Sequence, residues 1–462
     1  MTTPSENPGD GVLFLAEDGA ARWYSPRAAA IPPVEIVIDG GCVAGVDPAD
    51  PSALLWWTLS PGAAADGLAA AVGDPDLPRV LDRVRAAGAE RRVLTGQVLT
   101  APWTRYAAVA AARRWILRPV HEGALLLDRA VAAHLIGRDL EAAALFVAAE
   151  DTLLDLGERS RDGELPDVVV ELVHEALRIA LACGVDGPIE EIAEDLAGHA
   201  LLSDDDLATL LAEWRRASET ALVGGGASSL GVGDGDDREP VDIRAVPPRI
   251  LAWGGPDHAE LAIEHDRAAA SFVVGTALAD GVDPTCLEAR RILAFAARRA
   301  DGALTATAPM RPHGEGLVAR LPALGNDRAD LVFGVLAAGT DPDTLRTAPR
   351  DRPLIDVDRV MVEIWGRHRG ALATLRTAPV DAGEDLLRRM QADYRTGLMM
   401  TVGEVDAVFD DLDERADTTS DDDVAALLRA RRDAVARYAE SLRDEGGLDP
   451  ILTELLPPEA MS

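Results

Sequence analysis

Val223-Gly-Gly-Gly-Ala-Ser-Ser-Leu-Gly-Val-Gly-Asp-Gly-Asp-Asp-Arg-Glu-Pro240 cuts the chain into two nearly equal halves. Glycine widens the conformational freedom of the backbone and serine and aspartate solvate it. Too few apolar side chains are present to offset the entropy of ordering it. The stretch reads as a flexible linker. Its glycines do not read as a phosphate loop, because Ala227-Ser228-Ser229 and an acidic run follow them and would repel phosphate. Asp234-Gly-Asp236-Asp237 has the acids of a calcium loop without the downstream glutamate of an EF-hand.

On the N-terminal side, residues 1–102 read as a small mixed α/β unit. Gly11–Ala16, Val34–Asp39, Cys42–Val46 and Leu54–Leu59 are strand candidates, with Gly40-Gly41 as the turn of a hairpin. Asp76–Ala87 puts Leu77, Val80, Leu81 and Val84 on one helical face. From residue 103 to 222 the apolar period becomes helical. Leu126–Leu135 and Leu140–Leu156 form a helical hairpin turning at Gly137, and Ala130, Ala133, Ala142 and Ala143 allow close approach. Helices are also expected over 166–185 and 188–199. A last one starts at Ser203-Asp-Asp-Asp206, whose acids sit at the positive end of the helix dipole.

Beyond the linker, alternation of period two returns. Ile250–Trp253, Ala259–Glu264, Ser271–Ala279, Leu287–Ala297, Ala303–Ala308, Gly316–Leu321 and Asp330–Ala338 are strand candidates, so 241–350 reads as a β-sandwich-like domain. The alanine and arginine of Leu287–Ala300 also permit a helix there. Residues 351–462 read as an α-helical bundle. Val357, Val360, Met361, Ile364, Trp365, His368, Leu372 and Leu375 form one stripe. Glu384–Leu398, Val402–Leu412 and Val424–Leu442 add further helices, with capping patterns at Thr401-Val-Gly-Glu404 and Ser420-Asp-Asp-Asp423. The hexapeptide Thr344-Leu-Arg-Thr-Ala-Pro349 recurs as Thr374-Leu-Arg-Thr-Ala-Pro379, and nothing in the sequence accounts for it. The expected fold class is therefore multidomain α+β.

The net charge is −34, and every basic residue is arginine. A chain this acidic repels a phosphate backbone, so no nucleic-acid partner and no anionic membrane is expected. No run approaches the roughly 18 apolar residues that span a bilayer, and the N-terminus lacks a secretory pattern. Cys42, Cys183 and Cys286 are scattered, with no CxxC pair, which argues against disulfides or a zinc site and for a cytoplasmic setting. The lysine-free, asparagine-poor composition fits a high-GC bacterium. Without lysine, P-loop and Schiff-base chemistry are excluded. HExxH, GxSxG and GxGxxG patterns are missing too, so no catalytic residue and no cofactor is assigned.

Two groups remain as candidates. On a strand, His258, Glu260, Glu264 and Asp266 share one face, and an imidazole with three carboxylates could gather a divalent metal. His265 would then point inward. Trp56-Trp57 places one ring inward and the other outward, and an outward Trp is a fair anchor for a partner. His121-Glu122 and His174-Glu175 form no nucleophile relay, and Arg367, Arg369 and Arg376 beside Trp365 make a small basic patch. The expectation is a non-catalytic assembly or regulatory protein acting through contacts with other, basic, proteins. The alternative is a metal-assisted hydrolase or transferase whose site is built from scattered Asp, Glu, His and Arg.

Overall fold

The computed structural model describes residues 10–88, 91–195, 207–214, 216, 238–253, 260–348, 351–378, 383–443 and 449–458. Residues 223–237 of the expected linker, the capping run 203–206 and His258 lie outside them, while the linker's last three residues, Arg238–Pro240, are a paired strand and not linker. The fold is mixed, with helices and several antiparallel sheets, and it divides into two compact units. The division does not follow the 223–240 cut. Unit 1 comprises 1–113, 120–213 and 364–457, so most of the C-terminal helical region groups with the N-terminal half; unit 2 comprises 114–119, 214–363 and 458–462.

Unit 1 begins with a six-stranded antiparallel sheet. Its strands are β1 (Gly11–Leu15), β2 (Ala21–Tyr24), β3 (Val34–Asp39), β4 (Cys42–Asp47), β5 (Asp50–Leu59) and β6 (Arg92–Leu94), in the order β3-β4-β5-β2-β1-β6. Alternation in β3 is clean: Val34, Ile36 and Ile38 are buried while Glu35 and Val37 are exposed. The Gly40-Gly41 hairpin forms as the sequence implies, with Asp39 Oδ1 accepting from Gly41 N at 3.1 Å. A side chain at Gly41 would collide with Ala63 at 2.4 Å, so glycine there also permits close packing. Trp23 and Trp57 are register partners and stack in the core at 6.5 Å. Strands β2 and β6 and helix α1 (Asp66–Val72) were not expected; all three are too short for periodicity to reveal.

The helices that follow are α2 (Leu77–Ala87), α3 (Ala101–Trp115), α4 (Glu122–Leu135), α5 (Asp139–Ala148), α6 (Glu150–Arg161), α7 (Asp167–Ala182) and α8 (Pro188–Asp195). The expected helix over Leu140–Leu156 is two helices. Ala149 leaves helical geometry at φ −112°, ψ 17°, and its N–H is shared between the carbonyls of Leu145 and Phe146. Ala130, Ala133 and Ala142 are fully buried, as close approach of α4 and α5 requires.

Unit 2 contains β7 (Arg238–Pro240), β8 (Glu260–Asp266), β9 (Ser271–Ala277), the short helix α9 (Leu287–Arg290), β10 (Ile292–Arg298), β11 (Leu304–Pro309), β12 (Arg311–His313), β13 (Gly316–Pro322) and β14 (Leu331–Ala337). They make one sheet ordered β12-β13-β9-β8-β7 and another ordered β11-β10-β14. Phe272 from the first meets Phe333 from the second edge-on at 5.0 Å, so their facing side chains share a core. Gly334 sits opposite Phe295 and leaves room for its ring, which a Cβ there would strike at 2.2 Å. Of the expected strands, Ile250–Trp253 contributes only an isolated bridge, Leu251 to Leu278. Leu287–Ala297 is the short α9 and then β10, so helix and strand both occur in it.

The helix α10 (Pro353–Arg376) crosses the division at 363/364, and α11 (Glu384–Thr418), α12 (Asp422–Ser441) and α13 (Leu452–Leu455) belong to unit 1. The helix break expected at Thr401 does not occur. Thr401 Oγ1 donates to the Gly397 carbonyl inside a continuous α11, so the hydroxyl serves the helix it was expected to start. Asp421, within the expected Ser420–Asp423 cap, accepts from Asp423 N and Val424 N and starts α12. No helix among the described residues is long and apolar enough to cross a membrane.

Candidate functional site

The candidates on β8 do not converge. Glu264 is exposed and pairs across the ladder with Val273. Asp266 closes the β8–β9 turn by accepting from Ala269 N at 2.9 Å and pairs with Arg320 at 3.0 Å. Those contacts, the backbone bond first, hold its carboxyl below the usual range. Glu260 is half-buried at the start of the strand. His265 is exposed and stacks on Phe272 at 4.5 Å instead of entering the core. The ladder ends in a turn there, and an aromatic neighbour covers the ring from one side.

Trp57 is 0 % exposed in the unit 1 core and offers no surface to a partner. Trp56, on the opposite face of β5, is half-buried. It lies over Gly45, where a Cβ would approach its Nε1 to 2.2 Å, and beside its ladder partner Tyr24. Both rings are therefore engaged in the sheet. The arginines beside Trp365 are also engaged. Arg367 pairs with Glu404, and Arg369 makes a bidentate bond to the buried Glu454, its Nε at 2.6 Å from Oε1. Trp365 itself donates to the Pro48 carbonyl at 3.1 Å. His121 caps α4, its Nδ1 accepting from Ala124 N at 3.3 Å, and Glu175 holds Arg105 with two bonds of 2.9 and 2.7 Å.

Several buried ionisable groups among the described residues are ties. In unit 2, Glu239 accepts from Arg328 at 2.9 Å, Arg299 at 3.4 Å and Arg352. Nearby, Arg346 bridges Asp242 and Asp358. A cavity of about 20 Å³ lined by Pro240, Asp242, Phe295, Phe333, Arg346 and Arg352 has room for about one water molecule and for no substrate. In unit 1, Asp128 on α4 accepts from the backbone N–H groups of Leu452 at 3.0 Å and Thr453 at 2.7 Å, and from the Thr453 hydroxyl. Burial pushes its carboxyl up to about 6, against the lowering effect of these bonds. The carboxylate thus fixes the start of α13.

The α4–α5 hairpin is different. α5 reads Asp139-Leu-Glu-Ala-Ala-Ala-Leu-Phe-Val-Ala148, apolar on almost every side. A helix of that kind is normally enclosed. Here only Ala142 and Phe146 are buried, while Leu140 is 91 % and Val147 60 % exposed, with Ala144 and Ala148 exposed between and beside them. Their i, i+4, i+7, i+8 spacing puts the four on one face. Asp139, Glu141, Glu150 and Asp151 flank it with acid. The hairpin turn is held by Arg138, which donates to Tyr106 Oη at 3.0 Å and to the carbonyls of Ile38, at 3.1 Å, and Val37 on β3. Its guanidinium also lies over the rings of Trp103 and Tyr106.

At that same turn stand His134, in the last turn of α4, and Asp139, the first residue of α5. Cys183 reaches them from the C-terminal cap of α7. One ligand atom from each lies within 4.8 Å of the others, the one such group of three His, Cys, Asp or Glu residues among the described residues. Burial and the charge of Asp139 push the Cys183 thiol up. Nothing in the sequence marks this group, because Cys183 is 49 positions from His134 and its spacing fits no metal motif. No protein-family model, no curated protein and no solved structure matches the chain.

Proposed function

We propose that this protein is a non-catalytic assembly or regulatory protein that holds a basic, amphipathic segment of another protein on the exposed face of α5. The observation that carries this reading is a helix apolar on nearly all sides whose Leu140 and Val147 lie in solvent. Isolated exposed apolar residues are ordinary, but a row of them on such a helix marks an interaction face. The acids around it, within a chain of net charge −34, favour Arg or Lys on the partner and disfavour nucleic acid. The anchor is thus α5 and not Trp56-Trp57.

On this reading the two sheets over 238–337 form a β-sandwich-like domain. The free thiols of Cys42, Cys183 and Cys286 suit a cytoplasmic setting. The test compares wild type with a Leu140→Asp/Val147→Asp variant as bait in lysate of the native host, at low and high salt. The expected result is a defined protein with a basic amphipathic segment that the variant loses at least tenfold and that high salt weakens. Identical recoveries with both baits overturn the reading.

A further inference from the structure

We infer that His134, Asp139 and Cys183 form a binding site for a divalent d-block cation of the Zn(II) class. The inference stands on geometry and does not depend on the docking role of α5. The imidazole Nδ1 of His134 faces two polar side-chain atoms at once, Asp139 Oδ1 at 2.8 Å and Cys183 Sγ at 3.6 Å. With a proton this nitrogen donates to the carboxylate, and with a lone pair it accepts from the thiol S–H, so each tautomer serves one of these neighbours well. The shared nitrogen also rules out a Cys–His–Asp nucleophile relay, which needs the acid on one ring nitrogen and the thiol on the other. A cation among the three atoms uses all of them.

The distances suit such an ion. Tetrahedral zinc, with Zn–N of about 2.05 Å and Zn–S of about 2.3 Å, sets nitrogen and sulfur about 3.6 Å apart. That is the separation found between His134 and Cys183. The same geometry needs nitrogen and carboxylate oxygen about 3.3 Å apart, so Asp139 must swing outward by about half an ångström. Its side chain is 66 % exposed, and all three ligand atoms lie within 4.8 Å of one another. Binding forms an S–Zn bond and releases the thiol proton to solvent. The thiolate and the carboxylate then neutralise the dication.

The surroundings are consistent with this. His134 and Cys183 stand at the C-terminal ends of α4 and α7, where the helix dipoles favour positive charge. Thiolate and imidazole select Zn, Co, Ni or Cu over Mg and Ca. Arg138, between two of the ligands in sequence, fixes the turn that presents them. Three protein ligands leave a fourth tetrahedral position for water or an outside donor.

The test uses the full chain, stripped with chelator and titrated with Co(II) and then Zn(II). One equivalent of Co(II) should produce a thiolate-to-cobalt charge-transfer band and the intense visible bands of tetrahedral coordination, and Zn(II) should displace both. Cys183→Ser should abolish the charge-transfer band, while Cys42→Ser and Cys286→Ser should retain it. Because Cys183→Ser could disturb packing, Asp139→Asn provides a second arm. It changes an exposed side chain and should weaken Zn(II) binding tenfold or more with an unchanged circular dichroism spectrum. A wild-type protein without the band, a band that survives Cys183→Ser, or an Asp139→Asn variant with wild-type affinity overturns the site.

Discussion

The core of unit 2 and the α4–α5 hairpin of unit 1 use the same residue types in opposite ways. Around β7, charges are turned inward and spent on one another, with three arginines on Glu239 and two aspartates on Arg346. At the hairpin, apolar side chains are turned outward and three metal-capable donors face one another at a turn. A cluster of charged residues in this chain is therefore a poor guide to function. What distinguishes a functional surface is the opposite imbalance, apolar area or donor atoms that the protein itself leaves incompletely used.

The largest effect that would break the comparison lies in unit 2. Glu239→Gln leaves Arg299, Arg328 and Arg352 without their shared carboxylate, and losing charge-assisted hydrogen bonds to a buried carboxylate costs about 2–3 kcal/mol. Chemical denaturation should register that loss, while binding through α5 should be unaffected. A neutral substitution would mean that the cluster is not a tie.

Next is Asp128, the one acid of the hairpin that behaves like those of unit 2. Its folded-state pKa, about 6, is raised above its unfolded value, so its contribution to stability is fully present below the unfolded pKa and is lost as pH rises through about 6. Acidifying from pH 7 to 4.5 should add about 2 kcal/mol through this group. Urea denaturation of wild type and Asp128→Asn at the two pH values isolates the share, because the variant should lack that part of the gain. An equal gain in both would show that Asp128 does not carry it.

The smallest expected effect is on the exposed face. Leu140→Asp/Val147→Asp changes side chains that are 91 % and 60 % exposed and should change stability by no more than about 1 kcal/mol. A loss of several kcal/mol would mean that the face is enclosed by the protein itself, and the contrast with unit 2 would fail.

Much of the fold was legible because strands such as Val34–Asp39 alternate cleanly and are bounded by glycine turns. Other features were settled by packing and not by local signals. The hexapeptide Thr-Leu-Arg-Thr-Ala-Pro illustrates this. Around Thr344 it leaves a short 3-10 turn and buries Arg346 between two aspartates, whereas Thr374–Arg376 completes α10. Likewise, the capping chemistry at Thr401 is overridden within α11. The exposed face could not be read from α5, because a helix apolar all round has no amphipathic stripe to show which side is covered. The His134–Asp139–Cys183 group could not be read either, since only the packing of α7 against the hairpin brings the cysteine there.

The most direct test of the central claim is photo-crosslinking in the native host, with a photoreactive residue at Ala144, in the middle of the α5 face. The control carries it at Leu287, an exposed apolar residue of unit 2 that is 57 % accessible. The account predicts one discrete protein adduct from position 144 that is not formed from position 287. The same adducts from both positions, or none from position 144, would contradict it.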